Sequence, residues 1–141
     1  MLHVTNGVEP HFPNLSAENG VQELTPGYYG LSNSVLDCDW PKVHEGKQRL
    51  QRLVNKQLLG PNHPLETRQK HLIELLQQEI PLEQEHTPIA YRTGSCFIRG
   101  EEYGTRASTG LIIEDTSISY CEQNYAPGGI PSGHQLFDFN S

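Results

Sequence analysis

A chain of 141 residues is the size of one ordinary domain, and its net charge of −7 argues against nonspecific binding to nucleic acid or anionic membranes. Its three cysteines are odd in number and widely spaced, with no C-x-x-C pair, which argues against a disulfide scaffold. No apolar stretch approaches the ~20 residues that span a bilayer, so we expect a cytoplasmic protein of a single domain over residues 1–141, with no membrane span and no nucleic-acid partner.

The first third of the chain is predicted to hold short strands separated by turns. Leu2–Thr5 has the composition of a strand end, and Asn6-Gly7 is a turn signal. The Pro- and Asn-rich stretch Glu9–Gly20 predicts a loop. Pro26-Gly27 predicts a tight turn that leads into a short strand over Tyr28–Ser32.

Two helices are predicted in the middle of the chain. Across Pro41–Leu59 the apolar positions recur at helical spacing, and Gly60 suits the left-handed residue that ends a helix. A second helix is predicted over Pro64–Glu79, followed by Pro81, and the two form a helical hairpin. Residues 41–70 hold seven of the ten basic and two of the seventeen acidic residues, a pattern typical of a solvated helical face.

Strand patterns return after Pro88. Candidate strands are Ser95–Ile98, Gly110–Glu114, Ser117–Tyr125 and His134–Phe139. The short Asp115-Thr116 link predicts a hairpin between the second and third of them, with Ile118 and Tyr120 on one face. Strands, two adjacent helices and then antiparallel strands give an α+β fold.

Two motifs carry a family resemblance, namely Gly27-Tyr28-Tyr29-Gly30-Leu31-Ser32-Asn33 and Tyr103-Gly104-Thr105-Arg106-Ala107-Ser108-Thr109. Together with Trp40-Pro41-Lys42 and Gly46-Lys47-Gln48 they resemble the C-terminal half of the transport-and-Golgi-organisation 2 family, also called NRDE proteins. That family is similar to the N-terminal-nucleophile (Ntn) hydrolases. The resemblance implies a partial αββα sandwich, in which helices flank two packed antiparallel sheets and the N-terminal half is absent. The usual family start, a Cys directly after the initiator Met and then an Asn-Arg-Asp-Glu run, does not occur in these residues.

Two residues become candidates for catalysis through this resemblance. Read alone, Asn33 is a turn residue, and Arg106 is a surface partner of Glu101 or Glu102. Ser32-Asn33-Ser34 is similar to a segment beside the nucleophile in hydrolases of the bile-salt-hydrolase type, which implies that the Asn33 amide donates to an oxyanion. The resemblance also implies that Arg106, a permanent charge with a planar fork of donors, orients the nucleophile or the substrate.

No metal or cofactor site is expected. Cys38 and His44 are the closest Cys/His pair, and their spacing matches no common zinc pattern. The three cysteines cannot replace the family's nucleophile, because an Ntn enzyme uses the amine of its own chain terminus as the base.

The resulting hypothesis is a C-terminal fragment of an enzyme that cleaves amide C–N bonds in an unknown small-molecule substrate, with the fragment itself inactive. One alternative is a non-catalytic carrier or trafficking protein for haem or lipid, and another is a protein-interaction module that uses the basic helix. Half of a two-sheet sandwich leaves core and strand edges uncovered, so we expect self-association or pairing with a missing N-terminal half.

Overall fold

The computed structural model describes residues 2–4, 11–13, 21–32, 35–77 and 94–140. The chain divides into two compact units, Met1–Arg52 and Leu53–Ser141. It is an α+β protein with two helices and a three-stranded antiparallel sheet, which fits a partial αββα sandwich. The predicted fold class is therefore confirmed.

The first unit begins with four short strands in two antiparallel pairs. Strand β1 (Leu2–Val4) pairs with β4 (Tyr28–Gly30), and β2 (His11–Pro13) pairs with β3 (Val21–Glu23). The strands expected at Leu2–Thr5 and Tyr28–Ser32 are confirmed with shorter bounds. The prediction of a loop throughout Glu9–Gly20 was wrong, because β2 lies within it. The proline of β2 is the last residue of that strand, and an edge strand tolerates the missing N–H of a proline there.

Helix α1 spans Pro41–Asn55. Proline at the first helical position has no N–H to leave unsatisfied, and the carbonyl of Trp40 accepts from the N–H groups of Val43 and His44 at 2.9 and 3.1 Å. The helix buries Val43, Gly46 and Leu50, a stripe at helical spacing.

The end of α1 differs from its prediction. Gln57, and not Gly60, takes the left-handed conformation, with φ of 57°. The Leu58 N–H donates to the Leu53 carbonyl at 3.0 Å and the Gln57 N–H to the Val54 carbonyl at 2.8 Å. These two bonds satisfy carbonyls that the last helical turn would leave free, so the helix stops at Asn55.

The second unit packs helix α2 (Leu65–Gln77) on a sheet of order β5–β6–β7. The strands are β5 (Ala107–Glu114), β6 (Ser117–Ala126) and β7 (Ile130–Asn140). The predicted hairpin at Asp115-Thr116 is confirmed. Between β6 and β7 the chain makes a single 3-10 turn, in which Gly128 and Gly129 have φ of 73° and 71°, a region that favours glycine.

One face of this sheet receives α2. Ser108, Gly110, Ser119 and Cys121 are buried there, in alternation along β5 and β6. A Cβ at Gly110 would lie 2.8 Å from Cys121 Sγ and 3.1 Å from the Cβ of Leu72 on α2, so glycine permits this close approach of helix and sheet.

Hydrogen bonds join α2 to the sheet along its length. Gln69 Nε2 donates to Ser119 Oγ at 2.5 Å in a buried position, and Gln77 Nε2 donates to the hydroxyl of Tyr125 at 2.8 Å. Tyr125 also meets the buried ring of Phe97 edge-on, with ring centroids 4.8 Å apart. The small core of this unit therefore combines apolar packing with satisfied polar groups.

The strand predicted at Ser95–Ile98 was wrong. The hydroxyl of Ser95 donates to the carbonyl of Phe97 at 2.7 Å, a local bond that competes with sheet pairing. The segment is irregular and carries Phe97 into the core.

Candidate active site

Arg106 follows a tight loop that its own motif closes. The Ile98 N–H donates to Thr105 Oγ1 at 2.9 Å, and the Thr105 N–H donates to the Ile98 carbonyl at 3.0 Å. A Cβ at Gly104 would lie 2.9 Å from the Ile98 oxygen, and one at Gly100 would lie 2.1 Å from the Tyr103 oxygen. Glycine at both positions therefore lets the loop close, and the Gly-Thr pair before Arg106 holds it closed.

The backbone of Arg106 is fixed where β5 begins. Its carbonyl accepts from the Tyr125 N–H at 2.9 Å, which ties it to the end of β6 beside a buried ring. Its side chain is exposed, and the ion pairs formed among the described residues do not include it. The pairing with Glu101 or Glu102 that the residues alone suggested is not formed, and the guanidinium is open to an anionic group.

Arg99, in the same loop, contrasts with Arg106. Its guanidinium carbon lies 5.1 Å from the centroid of the Phe97 ring, and Nη1 donates to the Gly129 carbonyl at 3.4 Å. Arg99 thus stabilises the loop and the turn after β6.

Asn33 lies outside the described residues, but the segments on either side of it are described. The Gly30 N–H donates to Asp37 Oδ1 and the Asp37 N–H donates to the Gly30 carbonyl, both at 2.7 Å. Lys47 Nζ lies 2.9 Å from Asp37 Oδ2. Sequence reasoning missed Asp37, which has φ of 54° and joins residues of two motifs, Gly30 and Lys47.

The remaining motif of this unit is also explained by local contacts. Lys42 Nζ lies over the ring of Trp40, 5.1 Å from its centroid. These two residues flank the proline with which α1 begins. Gly46 is buried on the helix. Trp40-Pro41-Lys42 therefore lies at the start of α1, and Gly46-Lys47-Gln48 lies within the helix.

The joint action of Asn33 and Arg106 on one substrate, which the family resemblance implies, stays a prediction. Burial raises the pKa of the Cys121 thiol and so disfavours its thiolate. Cys38 and Cys96 are half-buried cysteines outside any disulfide.

Within the described ranges, no three His, Cys, Asp or Glu side chains are grouped so as to hold a metal ion. Neither helix in this part of the chain has the length and apolar character needed to cross a bilayer.

The second unit is a helix-backed antiparallel sheet, and Arg106 directly precedes β5. The sequence profile of the family described as Transport and Golgi organisation 2 matches residues 3–127. The chain belongs to this family.

Relatives from three mammals agree. It is 32% identical to the mouse Transport and Golgi organization 2 homolog over 98 residues, which cover 64% of this chain and 36% of the relative. It is 27% identical to the bovine homolog over 143 residues, covering 86% and 52%, and 27% identical to the human homolog over 109 residues, covering 72% and 40%. The chain thus spans about half, or less, of the curated relatives that it matches.

Proposed function

We propose that this chain contributes Asn33 and Arg106 to an Ntn-hydrolase-like site that cleaves an amide C–N bond in a small-molecule substrate. The observation that carries the proposal is the position of Arg106, with its backbone held and its charged end exposed. Its backbone is fixed by Tyr125, its loop is closed by Thr105, and its charged end is exposed without a carboxylate partner among the described residues. An exposed guanidinium on a fixed backbone, with no carboxylate partner among the described residues, is suited to a substrate carboxylate or a developing oxyanion.

In the proposed reaction a cysteine thiolate adds to the amide carbonyl carbon, and the carbonyl π electrons move onto oxygen. The Asn33 amide donates to this oxyanion while Arg106 orients the substrate. Collapse of the intermediate breaks the C–N bond, and the leaving amine takes the proton that the terminal amine had removed from the thiol. Water then hydrolyses the thioester, which releases a carboxylic acid and restores the thiol. The attacking thiol is none of Cys38, Cys96 and Cys121, since each follows other residues and has no terminal amine beside it. It belongs to another part of a longer family protein.

The haem or lipid carrier and the protein-interaction module are the two alternative hypotheses. The basic residues of α1 give little support to an interaction module, because several are already engaged. Lys47 pairs with Asp37, Arg49 donates to Glu45 at 2.7 Å, and Arg52 donates to Gln48 at 3.1 Å. A carrier would bind haem or lipid saturably without releasing an amine.

The test uses a full-length family protein and a panel of N-acylated amino acids, with free amine release as the readout. We expect Arg106→Ala at the equivalent position to lower kcat/KM about a hundredfold with an unchanged melting temperature. Arg99→Ala is the matched control, since it removes a guanidinium from the same loop, and it should lower the melting temperature but not kcat/KM.

The 141-residue chain by itself should release no amine. Amine release by this chain that Asn33→Ala abolishes would contradict the proposed role of an outside nucleophile. A full-length protein that binds haem or lipid but releases no amine from any substrate would replace the hydrolase proposal by the carrier.

A further inference from the structure

Thr105 and Ile98 are joined by two hydrogen bonds, one of which uses the threonine side chain. The Thr105 N–H donates to the Ile98 carbonyl at 3.0 Å, and the Thr105 hydroxyl oxygen accepts from the Ile98 N–H at 2.9 Å. One residue therefore satisfies both backbone polar groups of Ile98. The second bond needs an oxygen on the side chain, which serine can supply and valine, of nearly the same shape as threonine, cannot.

Ile98 has a fixed position because it directly follows a core residue. The Phe97 side chain is 2% exposed, and its ring meets the ring of Tyr125 edge-on. Close-packed buried rings hold their own backbone in place. The N–H and carbonyl of Ile98 are therefore fixed groups to which Thr105 can be bonded.

Arg106 is held on both sides of its Cα atom. On the N-terminal side Thr105 ties it to Ile98, and on the C-terminal side its own carbonyl accepts from the Tyr125 N–H at 2.9 Å. Both connections lead to the packed rings of Phe97 and Tyr125. Because the backbone N, Cα and C atoms set the direction of the Cα–Cβ bond, these contacts set the direction in which the Arg106 side chain leaves the backbone.

The loop before Arg106 also has contacts that do not involve the Thr105 hydroxyl. The Gly128 N–H donates to the Gly100 carbonyl at 3.0 Å, and the backbone bond from Thr105 to Ile98 needs no side chain. Both bonds remain when the hydroxyl is removed. We therefore expect the protein to fold without the hydroxyl, with the placement of Arg106 as the property that changes.

We propose that the Thr105 hydroxyl positions Arg106 for amide cleavage, an inference that rests on the proposed function. Thr105 is a positioning residue, since its hydroxyl oxygen is bonded to the Ile98 N–H and acts on the substrate only through the neighbouring guanidinium. A planar fork of donors recognises a carboxylate or an oxyanion only in the correct place and orientation. A misplacement of about 1 Å can cost roughly a hundredfold in rate.

The experiment measures amine release from N-acylated amino acids by a full-length family protein with substitutions at the equivalent positions. We expect Thr105→Val to lower kcat/KM about tenfold, divided between kcat and KM as for Arg106→Ala. Thr105→Ser retains the oxygen and should keep the wild-type value. In the Arg106→Ala background, Thr105→Val should change kcat/KM by less than about twofold, because the group through which it acts is gone.

A second variant and a matched control separate positioning from stability. Thr105→Ala should lower kcat/KM like Thr105→Val but cost less stability, because its smaller side chain lets water bond to the Ile98 N–H. Ser95→Ala is the control, since the Ser95 hydroxyl also closes a short turn, donating to the Phe97 carbonyl at 2.7 Å. It should lower the melting temperature and leave kcat/KM unchanged.

Hydrogen exchange in the 141-residue chain checks the placement independently of any activity. Thr105→Val should speed exchange of the Tyr125 amide, whose acceptor is the Arg106 carbonyl, and Thr105→Ser should not. An unchanged exchange rate in Thr105→Val would show that the hydroxyl does not hold Arg106, and would overturn the inference.

The kinetic outcomes distinguish this inference from the proposed function. Full activity of Thr105→Val, in a protein that Arg106→Ala impairs, would overturn the inference and leave the proposed function standing. An equal loss from Thr105→Val with and without the Arg106 guanidinium would show a purely structural role and would also overturn it. Full activity of Arg106→Ala would contradict the proposed function, and the inference would fail with it.

Discussion

At the scale of single residues, Arg68 shows how a buried charge is held. Its side chain is 7% exposed, and its two terminal nitrogens donate to the two oxygens of Glu114 at 3.2 and 2.8 Å. Its Nε donates to the Leu59 carbonyl at 3.0 Å. The guanidinium therefore joins the loop before α2 to the end of β5, and Glu114 is the group that balances its charge.

The hydrogen bonds from Arg68 hold the pKa of Glu114 below its ordinary value. A lowered pKa in the folded state contributes stability above the unfolded-state pKa, and this stability is lost as pH falls through the folded-state pKa. Glu114→Gln should therefore lower the free energy of unfolding at pH 7. Because the Glu114 side chain is 40% exposed, solvent screening limits the loss to about 1 kcal/mol.

Urea denaturation at pH 7 and at pH 3 measures this difference. The loss caused by Glu114→Gln should be present at pH 7 and should shrink as the pH falls toward 3, because the wild-type carboxylate gains its proton as the pH passes through its lowered pKa. Glu74→Gln is the control, because Glu74 is 49% exposed and its nearest ion-pair atom is 3.6 Å away. A loss that does not change with pH would show that the ion pair is not its origin.

At the scale of elements, α2 was predictable from its pattern, but its attachment to the sheet was not. Leucines at helical spacing and a proline beyond the end indicated the helix, and Asp115-Thr116 indicated the hairpin. The partner of Gln69 could not be predicted, because Ser119 is fifty positions away and only the docked helix brings the two together. The same limit applies to Ser95–Ile98, where a local hydroxyl bond overrode a strand-like composition.

The docking of α2 leads to a prediction about Gln69 and Ser119, which are both buried. Ser119→Ala leaves the Gln69 amide without its acceptor and should cost about 1–3 kcal/mol of stability. Gln69→Leu alone should also destabilise, since it leaves the serine hydroxyl without its donor. The double variant should lose less than the sum of the two, because it removes both polar groups together. Thermal or urea denaturation of the four proteins measures the coupling, and strict additivity would contradict the bond.

At the scale of the whole molecule, the motifs predicted the family and the fold class, and both are confirmed. The residues of the motifs also make structural contacts that the motifs themselves did not reveal. Gly104 and Thr105 close the loop before Arg106, and Lys47 pairs with Asp37, a residue that no motif singled out. These contacts depend on tertiary distances, which a single sequence does not contain.

The last prediction concerns Asn33 and Arg106, which the proposed reaction uses together on one substrate. If both act on the same oxyanion and substrate, their contributions to the rate depend on each other. In a full-length relative, Asn33→Ala should cost about a hundredfold in kcat/KM, the usual loss for one oxyanion donor. The double variant with Arg106→Ala should then lose much less than the product of the two single losses, because residues that act as a unit are not additive.

Arg99 supplies the control for this cycle. It is held by Phe97 and Gly129 and has no proposed part in catalysis, so Asn33→Ala combined with Arg99→Ala should lose the product of the single losses. Amine release measured at saturating and limiting substrate separates kcat from KM in every variant. Multiplicative losses for Asn33 and Arg106 would show that the two act independently, and no loss from either variant would leave Asn33 as a turn residue and Arg106 as a surface cation.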